Sequence, residues 1–149
     1  MSDQTTPTFK YSLQGIELRE VQINAAPAQD EAASGLNFTV NLENLVNEEG
    51  GQIVIVVIVN VATQRANYTL GKLVTAIVFS IADLKALIHK DGGTGIGVPV
   101  ELLATLNGIA ISTARGVMFG AFRGTLLHAA MLPLMDVKAF MPELPLSSK

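Results

Sequence analysis

The chain has 149 residues and a formal net charge of −3, from ten Lys and Arg against thirteen Asp and Glu, and it has no cysteine. That composition excludes disulfides, thiolate metal sites and cysteine nucleophiles, and gives no general electrostatic reason to bind nucleic acid or anionic lipid. Charged residues make up 15% of the sequence, against roughly 25% in ordinary globular domains, while 49% of it is apolar and mean hydropathy is +0.41.

Residues 1–8 are polar, lack the apolar region of a signal peptide, and read as a disordered start to a cytoplasmic chain. From Phe9 apolar and polar residues alternate: Phe9, Tyr11 and Leu13 against Lys10, Ser12 and Gln14. Ile16 and Leu18 resume one residue out of phase after Gly15, and Val21 and Ile23 follow a second slip, so the spacing predicts a long strand with a bulge at Gly15. Residues 24–35 are small and polar, a loop. Phe38, Val40 and Leu42 alternate with Asn37, Thr39, Asn41 and Glu43, a half-buried strand. Asn47 to Gly51 is a hairpin turn, and residues 52–62 are almost wholly β-branched, a strand buried on both faces. After a turn at residues 63–67, residues 68–81 form a fourth strand of the antiparallel sheet.

Leu84, Leu87 and Ile88 then predict one helical turn, and residues 91–97, with four glycines in seven positions, a flexible connection. Pro99 and Glu101 suit a helix start, and the helix runs to Phe122, before Gly124. Its stripe of Leu103, Leu106, Ala110, Ala114, Val117 and Ala121 is apolar, and so is most of the rest of its circumference. A helix of that kind is buried on more than one side, and a single sheet covers only one, so the stripe is assigned to an oligomer interface. Residues 136–141 start a short second helix that Pro142 and Pro145 halt. The organisation is α+β, with one domain over residues 9–141 and a short tail, 142–149.

The whole composition points the same way. A folded monomer of 15.8 kDa exposes about 7,300 Å², so each charged residue serves roughly 320 Å² against about 200 Å² at ordinary composition. Apolar surface patches follow, and these mean subunit contacts, a ligand groove or a membrane. Residues 102–122 contain Asn107 and a near-central Arg115, which argues against a membrane span.

Catalysis finds no support. Ser112 and Thr113 lie within the apolar helix without a nucleophile-elbow motif, and a hydroxyl there back-bonds to its own helix. His89 and His128 are far apart in sequence and outside any metal-ligand spacing. Gly93, Gly95 and Gly97 match no phosphate-binding pattern, and Glu48-Glu49 is a solvated turn. No enzyme activity, metal or cofactor is expected.

Three stretches carry a family resemblance. They are residues 13–27, LQGIELREVQINAAP; residues 38–43, FTVNLE, followed by the apolar hairpin and IVFSI at 77–81; and Ala114-Arg115, Arg123-Gly124-Thr125, Leu132-Pro133 and residues 136–140. Together they resemble the SecB-type export chaperones over residues 9–141. That resemblance implies a four-stranded Greek-key sheet, one long helix packed on it and a short C-terminal helix. It implies a homotetramer, a dimer of dimers with the helices between the sheets, that holds unfolded preproteins without ATP.

Carried over position by position, it places Val40, Leu42, Leu84, Leu87, Ile88, Ile96, Val98, Val137 and Phe140 at the client groove, and Glu20 on the face that docks the SecA motor. Asn24 and Lys72 stand where the family carries carboxylates, and the tail MPELPLSSK is short. Both departures leave a second possibility, a SecB-like oligomeric adaptor or toxin–antitoxin-associated chaperone that is not coupled to SecA. An oligomer whose apolar surface is entirely consumed by assembly is the competing class. Nucleic acid and direct membrane insertion are not expected.

Overall fold

The structure is a computed structural model that describes residues 9–24, 35–64, 68–90 and 96–136, with the backbone alone at 89, 90 and 96. Four long strands dominate it: β1 (Tyr11–Ile23), β2 (Leu36–Asn47), β3 (Gln52–Thr63) and β4 (Thr69–Ile81). They form one antiparallel sheet in the order β1-β4-β3-β2. Strands β2, β3 and β4 follow one another as hairpins, and β1 lies against β4 at the far edge, which is the Greek key.

The β2–β3 hairpin has an unbroken register from Leu36↔Thr63 to Asn47↔Gln52. Its turn uses Gly51 at φ +64°, and the Gly50 N–H donates to Asn47 Oδ1 at 3.1 Å. Strand β1 is less regular. Its pairing with β4 shifts between Leu13 and Gly15 and again between Leu18 and Glu20. These are the two phase slips of the sequence; the extra residues are Gln14, beside the expected Gly15, and Arg19. Each bulge resets the alternation. Leu13, Ile16, Leu18 and Val21 therefore stand opposite Phe79, Ile77, Thr75 and Leu73, all on one face of the sheet.

After β4 come α1 (Leu84–Leu87), β5 (His89–Lys90), β6 (Ile96–Gly97) and α2 (Val100–Ala121). The short helical turn was legible in the apolar spacing. The glycine-rich connection read as wholly flexible instead has paired ends, His89↔Gly97 and Lys90↔Ile96; residues 91–95 lie outside the described residues. The expected C-terminal helix begins in a non-helical stretch, 130–136, and the rest of it lies outside the described residues.

Helix α2 packs on β3 and β4. The core lies between them: Ile53, Ile55, Val57, Val59 and Val61 of β3 are fully buried, as are Leu73 and Ile77 of β4 and Leu102, Leu106, Ala110, Ala114 and Met118 of α2. Phe122, Leu127 and Leu132, beyond the helix, close one end of it. There the backbone comes close. A Cβ at Gly71 would stand 2.5 Å from Leu127 Cδ1, 3.2 Å from Gln22 O and 3.5 Å from Phe122 Cζ. Gly71→Val is expected to destabilise the fold by about 1–3 kcal/mol through overpacking, read as a lower denaturation midpoint in urea.

Candidate functional site

A single helix cannot cover four strands, and the structure shows what it leaves. On the helix side of β1, Leu13 is 51% exposed, Ile16 47%, Leu18 51% and Val21 40%, with Tyr11 and Ile23 at the ends of the row. This row of apolar side chains on an edge strand, on the buried side of the sheet, is left about half exposed by the described residues. The alternation in the sequence predicts the strand and its bulge at Gly15 but not which face is left exposed. The two phase slips were the available signal, since bulges concentrate on edge strands.

The opposite flank is half-covered. Val40 and Leu42 of β2 pair with Val59 and Val57, so they share the helix side, and both are half-buried against the core. Leu84 is buried in that core, and Leu87, Ile88 and Val98 are half-buried around it. Ile96 is placed by its pairing with Lys90 on β6. Val137 and Phe140 lie outside the described residues. The sequence-derived groove residues that are described thus lie along one flank of the sheet and the connection that follows β4, with β2 as its outer edge.

The other face of the sheet is apolar in its centre, where Val54, Val56 and Ile58 of β3 neighbour Val78, Ala76 and Val74 of β4. On β1 it carries Glu17 and Glu20, which oppose Ala76 and Val74. Glu20 is not a free anion. Its Oε2 lies 3.5 Å from Lys72 Nζ, with both side chains partly exposed. Lys72 thus pairs with the residue that the resemblance alone assigns to motor docking, and Asn24 donates its side-chain amide to Thr69 O at 2.8 Å.

The stripe assigned to an oligomer interface lies elsewhere than expected. Leu106, Ala110 and Ala114 have no exposed surface in a single chain, Leu103 is 9% exposed, and Val117 and Ala121 are half-buried against the core. The chain's own sheet takes this face. A 3.6-residue stripe identifies the side that packs, not the partner it packs on. The outward side of α2 carries Thr105, Ser112, Gly116, Phe119 and Gly120, all exposed. A Cβ at Gly116 or Gly120 would meet nothing within 4 Å.

Three polar side chains on α2, Thr105, Thr113 and Arg115, bond to backbone carbonyls. Thr113 Oγ1 donates to Ile109 O at 2.7 Å and Thr105 Oγ1 to Glu101 O at 2.9 Å, both back-bonds within the helix. Arg115 donates from Nε to Leu132 O at 2.8 Å and from Nη2 to Pro133 O at 3.0 Å, holding the chain after the helix against it. An open depression beside this segment is bounded by Gly108, Ser112, Arg115, Leu134 and Met135. The His128 ring lies against the preceding turn, with Nδ1 3.1 Å from the backbone carbonyl oxygen of Thr125. Among the described residues no three His, Asp or Glu side chains group as a metal site requires. By length and composition α2 could cross a membrane, but 44% of that stretch is buried in the fold.

No protein-family model matches the sequence, and no relative is found among curated proteins. The fold does have a solved counterpart. The SecB-like chaperone Rv1957 of Mycobacterium tuberculosis, in complex with a ChAD peptide from the Rv1956 HigA1 antitoxin, is similar with a TM-score of 0.52 and 15% sequence identity, over 84% of this chain and 89% of that one. At that identity the similarity establishes the fold: α+β, with a four-stranded antiparallel sheet, SecB-like.

Proposed function

We propose that this chain is the subunit of a homo-oligomeric chaperone that holds unfolded protein segments in the cytoplasm without ATP. One observation carries the reading: the helix side of the sheet is mostly apolar on all four strands, and among the described residues α2 packs chiefly on the central pair, β3 and β4. One uncovered flank, the β1 row, suits assembly with another copy. The other, half-buried along Val40 and Leu42 of β2, suits transient apolar clients. Capture at such a flank reads exposed apolar side chains rather than a sequence, and several subunits in one particle combine modest affinities through effective concentration. A homotetramer, a dimer of dimers, is the assembly that the resemblance implies.

Coupling to a SecA motor is the weaker part of the export reading. Glu20 is answered by Lys72, so the face offers a cationic partner little net charge. The chaperone of similar fold was solved with a peptide from an antitoxin, which favours short disordered segments of partner proteins as clients over handover to a motor.

The test is native mass by light scattering, alone and after mixing with a denatured, rapidly diluted protein. Four chains of 15.8 kDa, about 63 kDa, that capture the client support the reading. A tetramer that captures nothing leaves a structural oligomer, and a stable monomer removes the assembly. Leu42→Asp is expected to weaken client capture at least tenfold with native mass unchanged. If the particle dissociates instead, Leu42 belongs to the assembly and not to the client flank.

A further inference from the structure

The two edges of the sheet are built differently. Strand β1 has two bulges and the charged residues Glu17, Arg19 and Glu20. Bulges and charges are the devices by which edge strands avoid pairing with foreign strands. Strand β2 has no bulge and little charge. It is 12 residues long, pairs with β3 without a register shift, and contains no proline, no lysine or arginine, and one charged residue, Glu43. It is the last strand of its sheet, so its outer row of backbone N–H and C=O groups faces no further strand among the described residues.

We infer that the β2 edge captures an extended client segment by strand addition, so that the client's main chain becomes a fifth strand beside β2. This rests on the client-holding reading and specifies how the client is held. Backbone hydrogen bonds supply affinity that does not depend on sequence, and alternate side chains supply the selection. The selection can be read from β2 itself. From Leu36 to Glu43 its helix side presents Leu36, Phe38, Val40 and Leu42, all half-buried against the core, and its other side presents Asn37, Thr39, Asn41 and Glu43, all exposed; beyond Glu43 the pattern breaks, with an exposed Asn44 on the helix side and an exposed Leu45 on the other. A strand laid against residues 36–43 extends both rows, so the favoured client alternates apolar with polar residues along that stretch. The near absence of charge on β2 suits a variable client. The half-buried apolar row leaves less to hide than a permanent partner needs, and the more exposed β1 row is the flank for a second copy.

The probe is a twelve-residue peptide alternating Val or Phe with Thr or Gln, and two isomers of it N-methylated at every second amide, on one edge or the other. N-methylation removes donors from one edge and leaves every side chain in place. Strand addition predicts that one isomer loses affinity at least tenfold by fluorescence anisotropy while the other binds like the parent. It also predicts that the parent slows hydrogen exchange at alternate amides of β2, those pointing away from β3. Equal binding by both isomers, or slowing confined to residues outside β2, overturns strand addition and leaves client holding intact. Alternate β2 amides already protected in the free particle also overturn it, because a second copy then occupies the edge. If the parent peptide does not bind at all, the client-holding reading falls and strand addition falls with it.

Discussion

Leu18→Asp is expected to reduce the assembled particle to single chains that keep their secondary structure. The β1 row from Tyr11 to Ile23 exposes six large apolar side chains on the core side of the sheet. At about 25 cal/mol per Å², hiding the roughly 500 Å² that this row exposes is worth on the order of 10 kcal/mol per chain, comparable with the ~4–15 kcal/mol cost of association. Two chains contribute such rows to a symmetric contact, so the balance favours assembly but not by a wide margin. A carboxylate in the middle of the row appears twice in that contact and must be desolvated there. In the isolated chain the same position is half exposed, so the fold itself loses little. Native mass falling toward 15.8 kDa with an unchanged circular dichroism spectrum is the expected result. An unchanged mass would place the contact elsewhere, on the outward side of α2.

Leu106→Ala is expected to act in the opposite way. Leu106 is fully buried between α2 and the sheet, so truncation costs about 2–5 kcal/mol of a total that is ordinarily about 5–15. In a domain of this size that corresponds to a fall of roughly 5–20 °C in melting temperature. Native mass at low temperature should not change. This separates a residue that packs on its own sheet from one that faces another copy, and so tests the placement of the Leu103–Ala114 stripe directly.

The strands were the most legible part of the fold because period-two alternation is a local signal that the sheet preserves. Even the irregularities of β1 were visible, as two losses of phase in a short run. The β-branched run of β3 predicts a strand buried on both faces; β3 is central in the sheet and fully buried on its helix side, but Val54 and Ile58 on its other face are only half-buried. What the sequence could not show was which element each apolar face meets. Leu106, Ala110 and Ala114 are apolar at helical spacing whether they pack on their own sheet or on another copy. Conversely, Leu13 and Leu18 look like core and are half exposed. The paired ends of the glycine-rich connection, His89↔Gly97 and Lys90↔Ile96, escaped because a two-residue ladder has no period. The pairing of Glu20 with Lys72 was hidden for a different reason. The residues are 52 positions apart, and only the β1–β4 register brings them together. The identity of Lys72 was visible as a departure from an acidic face, but its contact was not.

The position of β1 also has a consequence for how the chain is made. Its partners on β4 lie far along the sequence: Tyr11 pairs with Ile81, and Ile23 with Gly71. Strands β2 and β3 meet over much shorter separations, from Asn47↔Gln52 outward, and can zip from their turn. During synthesis at about 5–20 residues per second, β1 leaves the ribosome several seconds before β4 is complete. For that interval it is an unpaired, alternating, amphipathic segment. Closing the long loop to β4 is the entropically costly step, and it comes last. The strand that is translated before the other three is therefore the last to be placed, and only its placement completes the sheet and sets out the apolar row on its core side.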